Sequence, residues 1–379
     1  MKKQNIFLMG GRTGGPLLPV IAISKELPEF TPIIIGVKGG FEEKYSISQS
    51  IEFHSLPEAK LTLASFSNLS FMETIGELFA AFWMIVKLSW SILKSIYYLV
   101  KFKPKAILTS GSFLGVPMVI ACKFTNLLRL TNTKTIIHQQ DAKPSLSNKL
   151  VARFADKITA YFPETSKLLG PKCTVTANPI NFDKFSDLSI RNELINADLR
   201  RFVESKSSLP LLLIFGGGSG AFAINKWVFE NIKLLSAQFR VLHLTGALQE
   251  NSVFKIANSP SYHSLPFLTS QMPYAIKKAD LVICRAGMAS ISELVYNKKK
   301  AFLIPIPYSH QEDNAFFVKE FFPTLKQRYT VSKPGKEDWL RMIQEFYPQF
   351  FDSVTYPSND EIITNFRKYI LEVRELLSR

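Results

Sequence analysis

The sequence predicts an α/β protein of two domains, each a parallel sheet with helices on its faces. Three observations carry this prediction. Short apolar runs alternate with helical stretches through the first half of the chain. After Asn178-Pro179 the sequence turns polar and charged through Lys206, and from Leu211 the same alternation restarts. Strands covered on both faces read as continuous apolar runs, and strand-helix alternation implies parallel pairing. With 379 residues the chain can hold two cores, since domains commonly contain about 100 to 200 residues.

In the first half the predicted strands are residues 5–9, 32–37, 106–109 and 135–138. In the second half they are 211–215, 241–244, 281–284 and 301–304. Residues 359–377 place Ile362, Ile363, Phe366, Ile370, Val373 and Leu377 at helical spacing, which predicts an amphipathic closing helix. The expected division is therefore 1–178, 179–358 and a closing helix at 359–379 that packs back toward the first domain.

A hydrophobic content of 46% with 20% charged residues describes an ordered globular chain rather than a disordered one. Cys122, Cys173 and Cys284 are odd in number and far apart, without the spacing of a zinc site, which fits a reducing compartment. Lys2 and Lys3 precede only Ile6 to Met9 before two glycines, too short an apolar core for a signal peptide.

The net charge is +15, and it is unevenly placed. From Leu78 to Gln140 there is no Asp or Glu, while Lys87, Lys94, Lys101, Lys103, Lys105, Lys123, Arg129 and Lys134 all fall there. Such a field suits a phosphate-rich partner, either nucleic acid or an anionic membrane, or else a solubilising surface. Residues 75–102 are the apolar anomaly, with Phe79, Phe82, Trp83 and Trp90 among many aliphatics. A bilayer span needs about 20 predominantly apolar residues, and Glu77, Lys87, Lys94 and Lys101 interrupt this run. The three lysines recur every seven residues, so they share one stripe of a helix beside aromatics suited to a headgroup boundary. A helix that only covers a sheet is the competing reading, and the two are compatible. Nucleic acid is disfavoured because the lysines accompany Trp83, Trp90 and bulky aliphatics rather than a stacking platform.

Glycine loops follow several strands. Gly10-Gly11-Arg12-Thr13-Gly14-Gly15 follows the first and could cradle a phosphate, though it lacks the order of a nucleotide triphosphatase. Gly216-Gly217-Gly218-Ser219-Gly220-Ala221 satisfies a loose dinucleotide pattern, yet the next strand ends in His243-Leu244-Thr245-Gly246 without the acid that a nicotinamide ribose needs. Residues 279–293 read as a buried strand, a sharp turn at Gly287 and a helix from about Ala289, whose first amides can receive a phosphate. Arg285 and Glu293 could hold one ligand from two sides or pair with each other. A polar cluster, His310-Gln311-Glu312-Asp313-Asn314, follows the last of these strands. In a parallel sheet all of these loops share the carboxyl rim where ligands bind.

Taken together, the segments resemble the MurG family, the membrane-associated transferases that add N-acetylglucosamine to the lipid-linked muramyl-peptide precursor of peptidoglycan. Gly11 to Gly15 with Pro19 is similar to the family's G-G-T-G-G-H-x-x-P loop. Lys103-Pro104 through Gly111-Ser112-Phe113 and Pro117 is similar to K-P-D-V-V-x-G-x-G-G-Y-x-S-x-P. His138-Gln139-Gln140-Asp141 with Ser147-Asn148-Lys149 is similar to H-E-Q-N followed by x-N-K, and Thr176 to Ile180 to T-G-N-P-V. Gly216 to Asn225 resembles G-G-S-x-G-A-x-x-x-N, and the clusters at Arg285 to Glu293 and His310 to Ala315 resemble R-S-G-A-x-T-x-x-E and H-Q-x-x-N-A.

This resemblance implies an inverting transferase of the GT-B type: two Rossmann-like domains with parallel sheets facing each other across a cleft. It implies UDP-N-acetylglucosamine as donor, a polyprenyl-diphosphate-linked acceptor, and peripheral attachment at the cytoplasmic face of the cell membrane. In the donor site Leu268 would meet uracil, Glu293 the ribose, and Gly217, Gly218, Ser219 and Gly220 with Met288, Ala289 and Ser290 the diphosphate. Arg285, Ile291, Ser292 and Asn314 belong to the same set, with Gln311 and His310 on the sugar hydroxyls and Thr13, Gly14, Gly15 and Asp141 approaching from the acceptor half. On the acceptor side the set is Arg12, Thr13, Gly14, Phe113 and Asn148, and the membrane set is Phe79, Phe82, Trp83, Lys87, Trp90 and Lys94. Neither metal nor cofactor is required, because helix amides and Arg285 can stabilise departing UDP.

Departures from the family's pattern fall mostly in the acceptor half. Pro16 stands in place of His, Gln139 of Glu, Asp141 of Asn and Phe113 of Tyr. In the donor half Gly218 replaces Ser, and Asn181 stands where an arginine often follows. Pro16 and Gln139 cannot accept a proton from a sugar hydroxyl, which leaves Asp141 as the expected base with His138 second. Two further readings stay open: transfer to another polyprenyl or glycolipid diphosphate, and a non-catalytic UDP-sugar-binding membrane scaffold.

Overall fold

The structure, a computed structural model of the chain, describes residues 3–12, 14–58, 71–180, 195–218, 220–246, 256–268, 271–321, 325–327, 339–347 and 358–378. Of residues 71–78, 80, 320, 321, 325–327, 344 and 346 only the backbone is described. The chain divides into two compact units, one of Met1–Pro179 with Ile363–Arg379, the other of Ile180–Ile362.

The first unit is built on strands β1 (Gln4–Met9), β2 (Phe30–Gly36), β3 (Glu52–Ser55), β4 (Ala106–Thr109), β5 (Lys134–Gln139), β6 (Lys157–Ala160) and β7 (Cys173–Val175). They pair in the order β3-β2-β1-β4-β5-β6-β7, and every pairing is parallel. Period-two alternation explains why the central strands are apolar throughout. Phe7, Met9, Ile33, Ile35 and Ile107 share one core cluster with Leu99 of the helix Phe71–Phe102 and Met118 of the helix Gly115–Leu127. The intervening Ile6, Leu8, Ile34 and Leu108 are fully buried as well.

The helix Asn359–Ser378 supplies the end of the chain, and from Ile363 onward it belongs to the first unit. Phe366, Tyr369, Ile370, Val373 and Leu377 are its buried stripe. Lys157 Nζ reaches Glu372 at 2.5 Å, and Arg374 meets Glu29 at 3.1 Å.

The second unit repeats the plan with β8 (Leu211–Phe215), β9 (Arg240–Leu244), β10 (Tyr262–Leu265), β11 (Leu281–Cys284), β12 (Ala301–Leu303) and β13 (Leu325–Gln327). Their order is β10-β9-β8-β11-β12-β13, again with parallel pairings. Leu212, Ile214, Val241, Leu281, Ile283 and Phe302 meet the helices Phe222–Gln238 and Trp339–Phe346, where Trp227 and Trp339 have ring centroids 5.4 Å apart.

In both sheets the strand order reverses once: beside β1 and β4 in the first unit, and beside β8 and β11 in the second. Helices cover opposite faces on the two sides of such a reversal, which leaves a crevice at the carboxyl ends of the two strands. The loops 10–15 and 110–114 stand at the first reversal, and the loops 216–221 and 285–287 at the second. Strands β3, β6, β7, β10 and β13 join the eight strands expected from the sequence. Each is short and carries polar residues, as in Glu52-Phe53-His54-Ser55, so no apolar run announces it.

Candidate functional site

At the reversal of the second sheet two helices begin side by side. The helix Phe222–Gln238 starts after β8, and the helix Met288–Tyr296 after the neighbouring strand β11. Neither has a side-chain cap or an acidic residue in its first turn, so both present amides and positive dipole ends. Gly217 and Gly220 adopt φ of +91° and +82°, which shapes the turn before the first helix. Gly287 behaves differently from the expected sharp turn: its φ is −77°, open to any residue, and a Cβ there would meet nothing within 4 Å.

Arg285 is half-buried, and its Nη1 donates to the carbonyls of Ile304 and Pro305, both at 3.2 Å. It therefore ties the end of β11 to the loop after β12, and desolvation lowers its pKa from the usual guanidinium value. Glu293 is half-buried one turn into the helix Met288–Tyr296, Ala289 and Ser290 are half-buried, and Met288 is buried. Leu268 is half-buried in the segment after β10. His310 is exposed, whereas Gln311 accepts a bond from the Ile306 amide at 3.2 Å and so holds its own loop.

Three residues of the expected donor set are structural. Ile291 is fully buried core. The Ser292 hydroxyl donates to Met288 O at 2.7 Å within its helix. Asn314 is fully buried and donates to Ala286 O at 3.3 Å, fixing the turn that carries Gly287. Asn225, buried at the start of its helix, donates to Thr245 O at 2.9 Å and lies 3.1 Å from Nε2 of His243. Ser219 and Thr13 lie outside the described residues.

At the reversal of the first sheet, side chains from several elements grip the turn after β1 and the first residues of the helix Gly14–Lys25. Ser112 donates to Gly10 O, Gln140 donates to Gly15 O at 3.0 Å, and Ser110 donates to Pro16 O at 2.7 Å. The amide of Arg12 donates to the carboxylate of Glu42, the second residue of the helix Phe41–Gln49. That bond changes the reading of the loop as a phosphate cradle, because the protein's own carboxylate already occupies it. The guanidinium of Arg12 is exposed and pairs with Glu58 at 2.6 Å. Gly14 and Gly15 are half-buried at the start of the helix Gly14–Lys25.

At the end of β5, Gln139 braces the loop that carries Asp141. Its Nε2 donates to Asp141 O at 2.8 Å, and its Oε1 accepts from Asn148. Asp141 is half-buried. Asn148, expected among the acceptor contacts, is buried beneath Gly111 and acts on that brace, while Phe113 is half-buried against the sheet core. His138, the second expected base, is also corrected by its surroundings. It is fully buried, lies 3.0 Å from Thr159 Oγ1 and 2.8 Å from Asn178 Oδ1, and burial pushes its pKa down to about 4. An imidazole enclosed in this way cannot reach a hydroxyl brought from solvent.

Sequence reasoning passed over Glu42. The only sequence cue was a carboxylate two residues after Gly39-Gly40, and that pattern ordinarily marks a solvated helix start.

The helix Phe71–Phe102 leaves a long apolar stripe uncovered. Phe79, Trp83, Val86, Trp90, Leu93, Tyr97 and Val100 follow one another at three- and four-residue steps with Phe82 beside Trp83, and all are exposed. Lys87, Lys94 and Lys101 flank them, with Lys101 Nζ 5.6 Å from the Tyr97 ring centre. Ile120, Phe124 and Leu127 of the helix Gly115–Leu127 are exposed too. Among the described residues no helix is long and apolar enough to cross a membrane.

Comparison with known proteins agrees with this two-part organisation. The profile of the glycosyltransferase family 28 N-terminal domain matches residues 6–160, and that of the glycosyltransferase family 28 C-terminal domain matches residues 211–336. A UDP-N-acetylglucosamine--N-acetylmuramyl-(pentapeptide) pyrophosphoryl-undecaprenol N-acetylglucosamine transferase of Chlorobium luteolum is 30% identical over 319 residues, covering 82% of each chain. The enzyme of that name from Clostridium novyi is 29% identical over 313 residues, 81% of this chain and 79% of its own. Among solved structures, Acinetobacter baumannii MurG superposes with a TM-score of 0.61 at 21% identity over 99% of both chains. A UDP-GlcNAc 2-epimerase from Neisseria meningitidis bound to UDP-GlcNAc shares the fold, with a TM-score of 0.57 at 13% identity over 97% of this chain and 100% of its own.

Proposed function

Because the chain belongs to glycosyltransferase family 28, in the MurG line of its relatives, we propose that it makes the disaccharide-lipid precursor of peptidoglycan. It transfers N-acetylglucosamine from UDP-N-acetylglucosamine to N-acetylmuramyl-(pentapeptide) pyrophosphoryl-undecaprenol. The observation that carries this reading is the pair of uncapped helix starts on the adjacent strands β8 and β11. Two sets of helix-opening amides at neighbouring strand ends suit a diphosphate, and Glu293 nearby suits the paired hydroxyls of a ribose.

Transfer with inversion needs three things from the protein. The muramyl hydroxyl oxygen forms a bond to the anomeric carbon as the bond from that carbon to the UDP oxygen breaks. The developing charge on UDP is met by the helix amides and by Arg285, whose desolvated guanidinium is held in place by two carbonyls. The hydroxyl proton passes to a base, a role assigned here to Asp141 on the loop braced by Gln139.

The exposed aromatic stripe of the helix Phe71–Phe102 with its flanking lysines supports peripheral attachment to an anionic membrane at the cytoplasmic face, where the polyprenyl chain of the acceptor resides. The test is incubation of the protein with UDP-N-acetylglucosamine and the lipid-linked acceptor, with chromatographic detection of the disaccharide-lipid. Product is expected, and none above a heat-killed control would reject this acceptor.

A further inference from the structure

Glu42 is wholly buried, although it is the second residue of a helix on a protein surface. Its carboxylate lies among Gly10, Gly36 and Gly40, and a Cβ on any of the three would collide with it. One carboxylate oxygen, Oε1, accepts from the amide of Arg12, and the amides of Gly11, Val37 and Glu42 itself also favour its charge. Among the described residues the other oxygen, Oε2, is buried without a hydrogen-bond partner. Burying a carboxylate this way is costly, and a side chain kept only for packing would be better neutral. Desolvation accordingly raises its pKa above the usual carboxylate value, against the pull of those amides.

Arg12 is what this carboxylate holds. Its φ is +73°, in the left-handed region that a residue with a Cβ rarely enters. In the G-G-T-G-G-H motif it occupies the second position, a glycine in that pattern. Two bonds pin it there: its amide to Glu42, and its carbonyl to the amide of Phe41 at 3.3 Å. Both partners sit at the first turn of the same helix.

We propose that Glu42 is a positioning residue for the transfer reaction, an internal anion that fills the amide nest of the first glycine loop and holds residue 12 left-handed, so that the loop presents a preset surface to the acceptor. The chain thereby closes this loop to phosphate and uses it to shape the acceptor side of the site. This rests on the acceptor reading given above.

The test is a coupling experiment. Glu42→Ala should raise the acceptor KM or lower kcat by about tenfold or more, the scale of a lost charged hydrogen bond, with the KM for UDP-N-acetylglucosamine nearly unchanged. Glu42→Gln, which keeps an oxygen for the Arg12 amide, should retain most of the activity. Glycine enters the left-handed region unaided, so in an Arg12→Gly background Glu42→Ala should cost several-fold less. Equal losses in both backgrounds, or a donor KM that moves as much as the acceptor KM, would overturn the proposal. If Glu42→Ala does not fold, Glu42→Asp takes its place, since the shorter side chain withdraws the carboxylate while keeping the charge. Amide hydrogen exchange at Gly11 and Arg12 gives a readout without turnover: exchange should quicken in Glu42→Asp, and unchanged protection sinks the idea. Absence of turnover in the parent would instead count against the acceptor reading.

Discussion

Nε2 of His138 lies 2.8 Å from Oδ1 of Asn178, which joins the end of β5 to the residue before Pro179, where the first unit passes to the second. The second unit has a counterpart: Nε2 of His243, on β9, lies 3.1 Å from Oδ1 of Asn225. Both imidazoles are buried, and burial pushes both down to about 4.

These histidines predict an acid-labile window. In the unfolded chain each takes up a proton near its ordinary value of about 6.5, whereas in the folded chain it resists until about 4. The unfolded state binds more protons in between, so their contribution is intact above about 6.5 and is lost as pH falls toward 4, by up to about 3 kcal/mol for each histidine. Denaturant midpoints measured from pH 7 to pH 4 should fall, and His138→Gln should flatten part of that slope. An unchanged slope in the variant would assign the acid sensitivity elsewhere.

Glu293 as a ribose ligand predicts a loss that depends on the ribose. Glu293→Ala should weaken UDP binding about tenfold or more, as expected when hydrogen bonds to a charged group are lost. It should also abolish the preference for UDP over 2′-deoxy-UDP in calorimetry. A preference that survives the substitution removes Glu293 from the ribose.

Arg285 joins two strand ends through Ile304 O and Pro305 O. Arg285→Ala should therefore lower the melting temperature and raise the donor KM together, with the acceptor KM spared. Arg285→Lys should recover charge but not the forked geometry, and so give an intermediate donor KM. Full activity in Arg285→Lys would show that charge alone suffices.

For the membrane surface, replacing Lys87, Lys94 and Lys101 with Glu reverses three charges beside the exposed stripe. At about 1 kcal/mol for each basic residue near an anionic surface, binding to phosphatidylglycerol vesicles should drop by more than tenfold. Trp90→Ser should weaken binding even to neutral vesicles, since that indole is exposed. Sedimentation with vesicles that is indifferent to all four changes refutes this surface.

Asp141→Asn tests the proposed base. Loss of general base catalysis should lower kcat by about 10²–10⁴-fold while leaving UDP-N-acetylglucosamine binding in place. A kcat within threefold of the parent would move the role to another group.

The strands of the interior were legible because a buried parallel strand must be apolar on both faces, as in Leu211-Leu212-Leu213-Ile214-Phe215, all buried. The glycine loops were legible as well, since strand-to-helix turns at a carboxyl rim need small residues. Edge strands such as β3 and β7 were not, because a half-covered strand tolerates the polar residues that also mark loops. Within the rims, residue type alone could not separate ligand contacts from braces. Asn314 and Asn148 offer the chemistry of a sugar contact, yet both hold backbone or side-chain partners inside the protein.

The sequence by itself determined the alternation of strand and helix, the break near Asn178-Pro179, the basic aromatic helix and the motifs that place the chain among its relatives. These are local: each depends on side-chain period or on a short run of residues. Only the tertiary structure decided the state of individual groups. His138 is neutral because packing buries it completely, against the hydrogen bond with Asn178, which favours its charge. Glu42 is an internal ligand because Gly10, Gly36 and Gly40 come together around it from separate segments. Burial and partnership are properties of packing, and a carboxylate reads the same in a sequence whether it faces water or the amide of a loop.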